Sequence, residues 1–182
     1  MKNFLLGIDI GTSACKAAVI DLDGRVIAQA VSSYPVYYPA PGYVEQNPEE
    51  WWEGVCGAIR GILSTGRVNT DDIAGIGLDG QSWSAIPVDR KGHVLHNTPI
   101  WMDTRASDIC KKITERVEFD RIFSISGNSF EPSYTTPKIL WFKENKPDLY
   151  KNTYKFIQSN SYIAFRLTGA ITQDISQGYG LH

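Results

Sequence analysis

The sequence predicts an α/β fold in which a mixed sheet is flanked by helices. Three observations carry this expectation. Residues 4–31 hold three apolar runs of strand length, an amphipathic run follows over 48–63, and short apolar runs then give way after Asp103 to mostly helical patterning. With 182 residues, 42% of them hydrophobic and 21% charged, the chain can bury the core of one domain.

Taken in order, residues 4–9 read as the first strand and 16–21 as the second. Asp23-Gly24 then turns the chain into a third at 25–31, because both residues accept the positive φ of a hairpin turn. The proline- and tyrosine-rich segment 34–43 reads as a loop. Asn47-Pro48-Glu49-Glu50 combines a capping residue, a proline suited to the first turn and an acidic residue three past the cap, so a helix is expected over 48–63. Trp51, Val55, Ala58, Ile59 and Ile62 fall on its buried face. Strands are expected at 73–79 and 83–88, with Lys91-Gly92 turning the chain back. Helices run from Asp103 to about Tyr150, followed by a strand at 155–157 and a helix at 161–167 that stops at Gly169.

The formal net charge is −2 and no basic block or stripe is present, which argues against a nucleic-acid surface. No apolar run approaches the ~20 residues of a membrane span, and the N-terminus lacks the order of a signal peptide. Three widely spaced cysteines, Cys15, Cys56 and Cys110, suit reduced thiols. The reading is a cytoplasmic protein.

Two glycine-rich stretches compete as phosphate loops. Gly75-Ile76-Gly77-Leu78-Asp79-Gly80 spells GxGxxG, but its glycines lie inside the expected strand and no helix opens after it, so the dinucleotide reading fails. Gly7-Ile8-Asp9-Ile10-Gly11-Thr12-Ser13 sets a carboxylate in an apolar strand at the entry to a hairpin. An unpaired carboxylate buried in such a strand is costly. Gly11 can adopt an unusual conformation or leave room for close approach. Turn N–H groups with the hydroxyls of Thr12 and Ser13 can meet an anion, Lys16 adds charge, and Asp9 offers hard oxygens to a Mg2+ ion. The plainer alternative is a hairpin in which Asp9 and Thr12 satisfy local backbone groups.

The pattern Asp9-x-Gly11-Thr12-Ser13-x-x-Lys16 resembles the first phosphate motif of the sugar kinase, hsp70 and actin superfamily. The segment 133–145, SYTTPKILWFKEN, resembles the first signature of the FGGY carbohydrate kinases at each constrained position. Gly42 to Pro48 with Trp51-Trp52, the element Trp101-Met102-Asp103-Thr104-Arg105, and Leu167-Thr168-Gly169 with Asp174 and Ser176 resemble further pieces of that family in the same order. Within it, the xylulokinases and related pentulose kinases are most similar.

This resemblance implies a ribonuclease H-like fold and ATP-dependent, Mg2+-assisted phosphorylation of a sugar or polyol hydroxyl, with a pentulose such as xylulose favoured. It implies that Asp9 lies by the metal and that Gly11, Thr12, Ser13 and Lys16 hold the phosphates. The loop Gln81-Ser82-Trp83 would meet the sugar, although xylulokinases carry Met-His, and glycerol kinases Arg-Glu, where Ser82-Trp83 stands here. Trp83 and Trp101 are candidate sugar contacts or core aromatics. Asp103 and Arg105 are a sugar contact or a helix cap with a surface ion pair. Lys138 and Trp141 share one helical face and read as structural. The family's general base, in a later Gly-Asp segment, has no match after Asp174. The resemblance therefore implies that residues 1–182 are most of an N-terminal kinase domain, with little or no turnover alone. A non-catalytic sugar- or partner-binding module is the alternative, and homodimer formation stays open.

Overall fold

The computed structural model describes residues 3–178, 180 and 181. In chain order the elements are β1 (Phe4–Ile10), β2 (Ala14–Asp21), β3 (Val26–Ser33), β4 (Glu45–Gln46), α1 (Pro48–Leu63), β5 (Ile73–Gly80), β6 (Ile86–Val88) and β7 (Thr98–Pro99). There follow α2 (Ser107–Thr114), α3 (Phe119–Ser126), α4 (Thr135–Asn145), α5 (Pro147–Asn152), β8 (Lys155–Ile157) and α6 (Ser159–Thr168). The chain divides into two compact units, 1–36 with 49–81 and 37–48 with 82–182.

The first unit is a four-stranded sheet in the order β3-β2-β1-β5. β1 pairs antiparallel with β2 and parallel with β5, so the sheet is mixed as expected. Alternation sends Leu6, Ile8, Ile10, Cys15, Ala17, Val19 and Ala28 to one buried face. α1 covers that face with Trp51, Val55, Ala58 and Ile62, four of the five residues expected from the periodicity. The spacing Gly54, Gly57, Gly61 lets the helix approach β3. An added Cβ would lie 2.9 Å from Tyr34 at position 54, 2.8 Å from Ser32 at 57 and 3.0 Å from Ala30 at 61. Edge strand β5 lies farthest from β3, and its Ile76 stays 48% exposed. The expected turn holds as well, with Gly24 at φ 82°.

In the second unit, the two-stranded pairs β4-β7 and β6-β8 meet helices α2 to α6. Its core gathers Ala85, Ala106, Ile109, Trp141 and Phe142, with a satellite of Cys110, Ile122 and Phe130. α3 ends at Gly127 and α6 at Gly169, both left-handed, as the Gly169 stop predicts. The strand expected at 83–88 is shorter, because Trp83 takes φ 64° and breaks the extended run. Gly92 makes the expected turn at φ 84°, with the Phe165 ring packed over it. Among the described residues, no helix is long and apolar enough to cross a membrane, and the three cysteines are free thiols.

Candidate functional site

The first unit keeps one sheet face open. On it, Asp9 in β1 is the register partner of Lys16 in β2 and of Asp79 in β5, so the three charged residues stand side by side across three strands. They line a cavity of about 830 Å³ whose floor is made of small residues, among them Gly7, Ala18 and Gly77. Asp9 is half-buried and Lys16 exposed. The carboxylate therefore does not sit in the helix-covered core that an apolar strand suggests. It stands on the face that water and ions reach, which removes the burial cost.

The hairpin between β1 and β2 is braced by its own backbone. The Gly11 N–H donates to Ala14 O at 3.1 Å, Tyr34 Oη donates to Gly11 O at 2.6 Å, and the Tyr34 N–H donates to Ser13 O at 3.3 Å. Gly11 does not use a positive φ. Its value is space, since an added Cβ would lie 3.1 Å from Ala14 O and 4.0 Å from Asp9 Oδ2. The Gly11 N–H serves the turn, which leaves Thr12, Ser13 and Lys16 as the donors to test. Gln81 closes this unit by donating its N–H to Ile10 O at 2.8 Å.

Burial pushes the Cys15 thiol up to about 11, with the Asp9 charge adding to the effect. It also raises the Tyr34 hydroxyl, with Cys15 and Asp9 as lesser causes. Both groups stay protonated at neutral pH.

In the second unit, Asp103 and Arg105 are enclosed. Asp103 is 0% exposed and the Arg105 side chain 1%. Arg105 Nε donates to Asp103 Oδ1 at 2.9 Å, and Nη2 donates to Asp103 Oδ2 at 2.8 Å and to Glu45 Oε1 at 2.7 Å. The Val44 N–H donates to Asp103 Oδ2 at 2.6 Å. The Arg105 guanidinium lies 4.2 Å from the Tyr43 ring centroid and 4.8 Å from that of Trp141. The expectation of a surface ion pair is thus corrected: the pair is buried, with Arg105 also bound to Glu45 and Asp103 to a backbone amide. Asp103 is not the cap of α2 either, because Ala106 occupies that position.

Lys138, in α4, is fully buried and donates from Nζ to three carbonyls: Trp83 O at 2.8 Å, Ile100 O at 2.7 Å and Ser133 O at 2.5 Å. Three acceptors match the three N–H bonds of an ammonium. Burial pulls its pKa down to about 7, while Asp103 acts upward and Arg105 downward. Trp83 is half-buried, with its ring edge-on to Tyr134 at 4.8 Å. Trp101 is 44% exposed. Ser82 is half-buried beside Trp83.

The structure therefore brings Asp9 and Lys16 together beside Gly11, Thr12 and Ser13. Separately, it fixes the chain at Trp83 and at Ile100, next to Trp101, on one nitrogen. Sequence reasoning missed Asp79 and Gln158. The signal for Asp79 is an aspartate at the end of its strand, like Asp9 in β1, and Gln158 carries none.

The N-terminal domain pattern of the FGGY family of carbohydrate kinases matches residues 4–178. The chain belongs to that family. FGGY relatives include the xylulose kinase of Bacillus subtilis, 36% identical over 177 residues that make up 97% of this chain and 35% of the relative. Two solved structures from Lactobacillus acidophilus, a ligand-bound xylulose kinase and a gluconate kinase, each match with a TM-score of 0.89 at 28% identity. Each match covers 97% of this chain, and 36% and 35% of the respective structure. The fold is the ribonuclease H-like fold of the sugar kinases. The chain spans about a third of the length of the curated relatives it matches.

Proposed function

We propose that the protein to which these residues belong transfers the γ-phosphate of ATP to a hydroxyl of a sugar, with a pentulose such as xylulose the first candidate. The observation that carries the reading is the placement of Asp9 and Lys16 as cross-strand partners on the open sheet face, beside the glycine hairpin. Kinase relatives named for xylulose and for gluconate support the chemistry and leave the sugar to experiment.

The residues present fit the expected ion and nucleotide. Asp9 supplies hard carboxylate oxygens on a solvent-reached face, and the space kept by Gly11 runs up to its Oδ2. Asp9 would hold Mg2+, which supplies charge neutralisation to the transferring phosphoryl group. Lys16 offers a point charge, and Thr12 and Ser13 offer hydroxyl donors to phosphate oxygens. Trp101 offers an apolar face and an N–H donor to a sugar, and Trp83 an apolar face. Asp103 and Arg105 serve as framework for the segment that carries Trp101.

The test is ADP release by the full-length protein with ATP and Mg2+ across D-xylulose, D-ribulose, gluconate and glycerol. Turnover with one sugar well above the others supports the reading. No turnover with any sugar or polyol, in a protein shown to be folded, overturns it in favour of a binding module.

A further inference from the structure

Trp83 is the one described residue other than glycine with a positive φ, 64°. That backbone region costs an ordinary side chain about 1 kcal/mol or more, so the surroundings must impose it. Two buried polar side chains do so from opposite sides of the residue. Gln158 Oε1 accepts the Trp83 N–H at 2.9 Å, and Lys138 Nζ donates to the Trp83 carbonyl at 2.8 Å. The same Nζ donates to the carbonyl of Ile100, immediately before the exposed Trp101. Thr135, one turn before Lys138 in α4, donates Oγ1 to Ser84 O at 3.3 Å. The ring is held as well: Tyr134 stands edge-on to it, and an added Cβ at Gly180 would lie 2.9 Å from Trp83 Cδ1.

Burying an ammonium costs several kcal/mol unless its donors are matched. A fold that needed only volume at position 138 would place a leucine or methionine there. What the ammonium adds is a joint between two chain segments far apart in sequence. We propose that Lys138 is a positioning residue for sugar binding, with Gln158 as its partner, fixing Trp83 in its left-handed conformation and setting the segment that carries Trp101. The proposal rests on the sugar-kinase reading, because it assigns these two indoles to the sugar.

The experiment uses the full-length protein labelled with 5-fluorotryptophan, the resonances of Trp83 and Trp101 being assigned with Trp83→Phe and Trp101→Phe. In Lys138→Met, the resonances of Trp83 and Trp101 should move while those of Trp51 and Trp52 stay in place. The KM for the sugar should rise on the order of tenfold to a hundredfold, with the KM for ATP within about twofold. Gln158→Met should move Trp83 and leave Trp101, since it holds only the first. It keeps the test open if Lys138→Met does not fold. Equal changes in the two KM values, or Trp83 and Trp101 resonances unmoved in both variants, would overturn the proposal. A wild-type protein that phosphorylates no sugar sinks the kinase reading instead, and the fluorine spectra then decide the positioning claim by themselves.

Discussion

Two aspartate–cation pairs stand in this chain, and their surroundings give them opposite work. Asp9 and Lys16 are partners across β1 and β2 on an open face, with Lys16 exposed. Asp103 and Arg105 are buried, and both Asp103 oxygens with Arg105 Nε and Nη2 are engaged by Glu45, the Val44 amide and each other. In sequence the two pairs look equally functional, each a short motif of charged residues at fixed spacing. The difference is how much of the hydrogen-bonding capacity the protein itself takes up. An open pair keeps its charge for an ion or a phosphate, whereas a closed pair fixes chain segments relative to one another.

The largest expected effect comes from opening the closed pair. Arg105→Ala strands two buried carboxylates, Asp103 and Glu45, and should cost about 3–5 kcal/mol of stability in urea unfolding. Arg105→Lys should recover only part of that loss, because one ammonium cannot reproduce the fork that grips both carboxylates and lies between the Tyr43 and Trp141 rings. A loss below about 1 kcal/mol for Arg105→Ala would match a surface pair and erase the contrast.

The open pair should behave in the reverse way. Asp9→Asn is expected to change folding stability by about 0.5 kcal/mol or less. In the full-length protein it should lower kcat on the order of 10²–10³-fold, the scale for removing a group aimed at developing charge. If Asp9→Asn instead destabilised the fold and spared turnover, the two pairs would have to exchange roles.

How much of this was legible depended on the range of the interaction that decides it. The bounds of α1 follow from Asn47, Pro48 and the apolar spacing, all local, and the structure reproduces them at Pro48–Leu63. The hairpin at Gly24, the strand at 155–157 and the stop at Gly169 were local in the same sense. Trp83 was misread as strand because its conformation is imposed by Lys138 and Gln158, which lie 55 and 75 residues away in sequence. The closure of the Asp103 pair depends likewise on Glu45, 60 residues from Arg105. The glycines at 54, 57 and 61 were local and visible. Their meaning, close approach to β3, needed the partner strand to be known.

That glycine row gives a third and smaller effect. Gly57→Val puts atoms into a space where even a Cβ meets Ser32 Oγ at 2.8 Å. It should cost about 1–3 kcal/mol, the usual range for overpacking. Gly66→Ala offers the control, since a Cβ there meets nothing within 4 Å and only its positive φ of 68° opposes the change. A Gly57→Val protein as stable as wild type would mean that α1 does not need to lie against β3 at this distance.

The smallest effect is absent at neutral pH and grows with alkalinity. Cys15, on the covered face of the first unit's sheet, is raised by burial to about 11, and Cys110, in the second unit, is raised by burial and the Glu131 charge to about 12. In the unfolded chain each thiol loses its proton near its ordinary value of 9.0, while the folded chain holds it. Over that window the unfolded state binds fewer protons, so stability falls as pH rises, by on the order of 1 kcal/mol per thiol per pH unit. Lys138 contributes with the opposite sign, because its depressed pKa leaves the unfolded chain holding the extra proton above about 7. Total stability against pH therefore mixes the two. The clean quantity is the difference between wild type and Cys15→Ala measured by urea unfolding at pH 7.5, 9 and 10. That difference should move slightly in favour of the variant by pH 9, where half of the unfolded thiol is ionised, and by about 1 kcal/mol by pH 10. A difference that stays constant to pH 10 would show that the Cys15 thiol ionises as readily in the folded sheet as in the open chain, and that the face under α1 is wetter than its packing indicates.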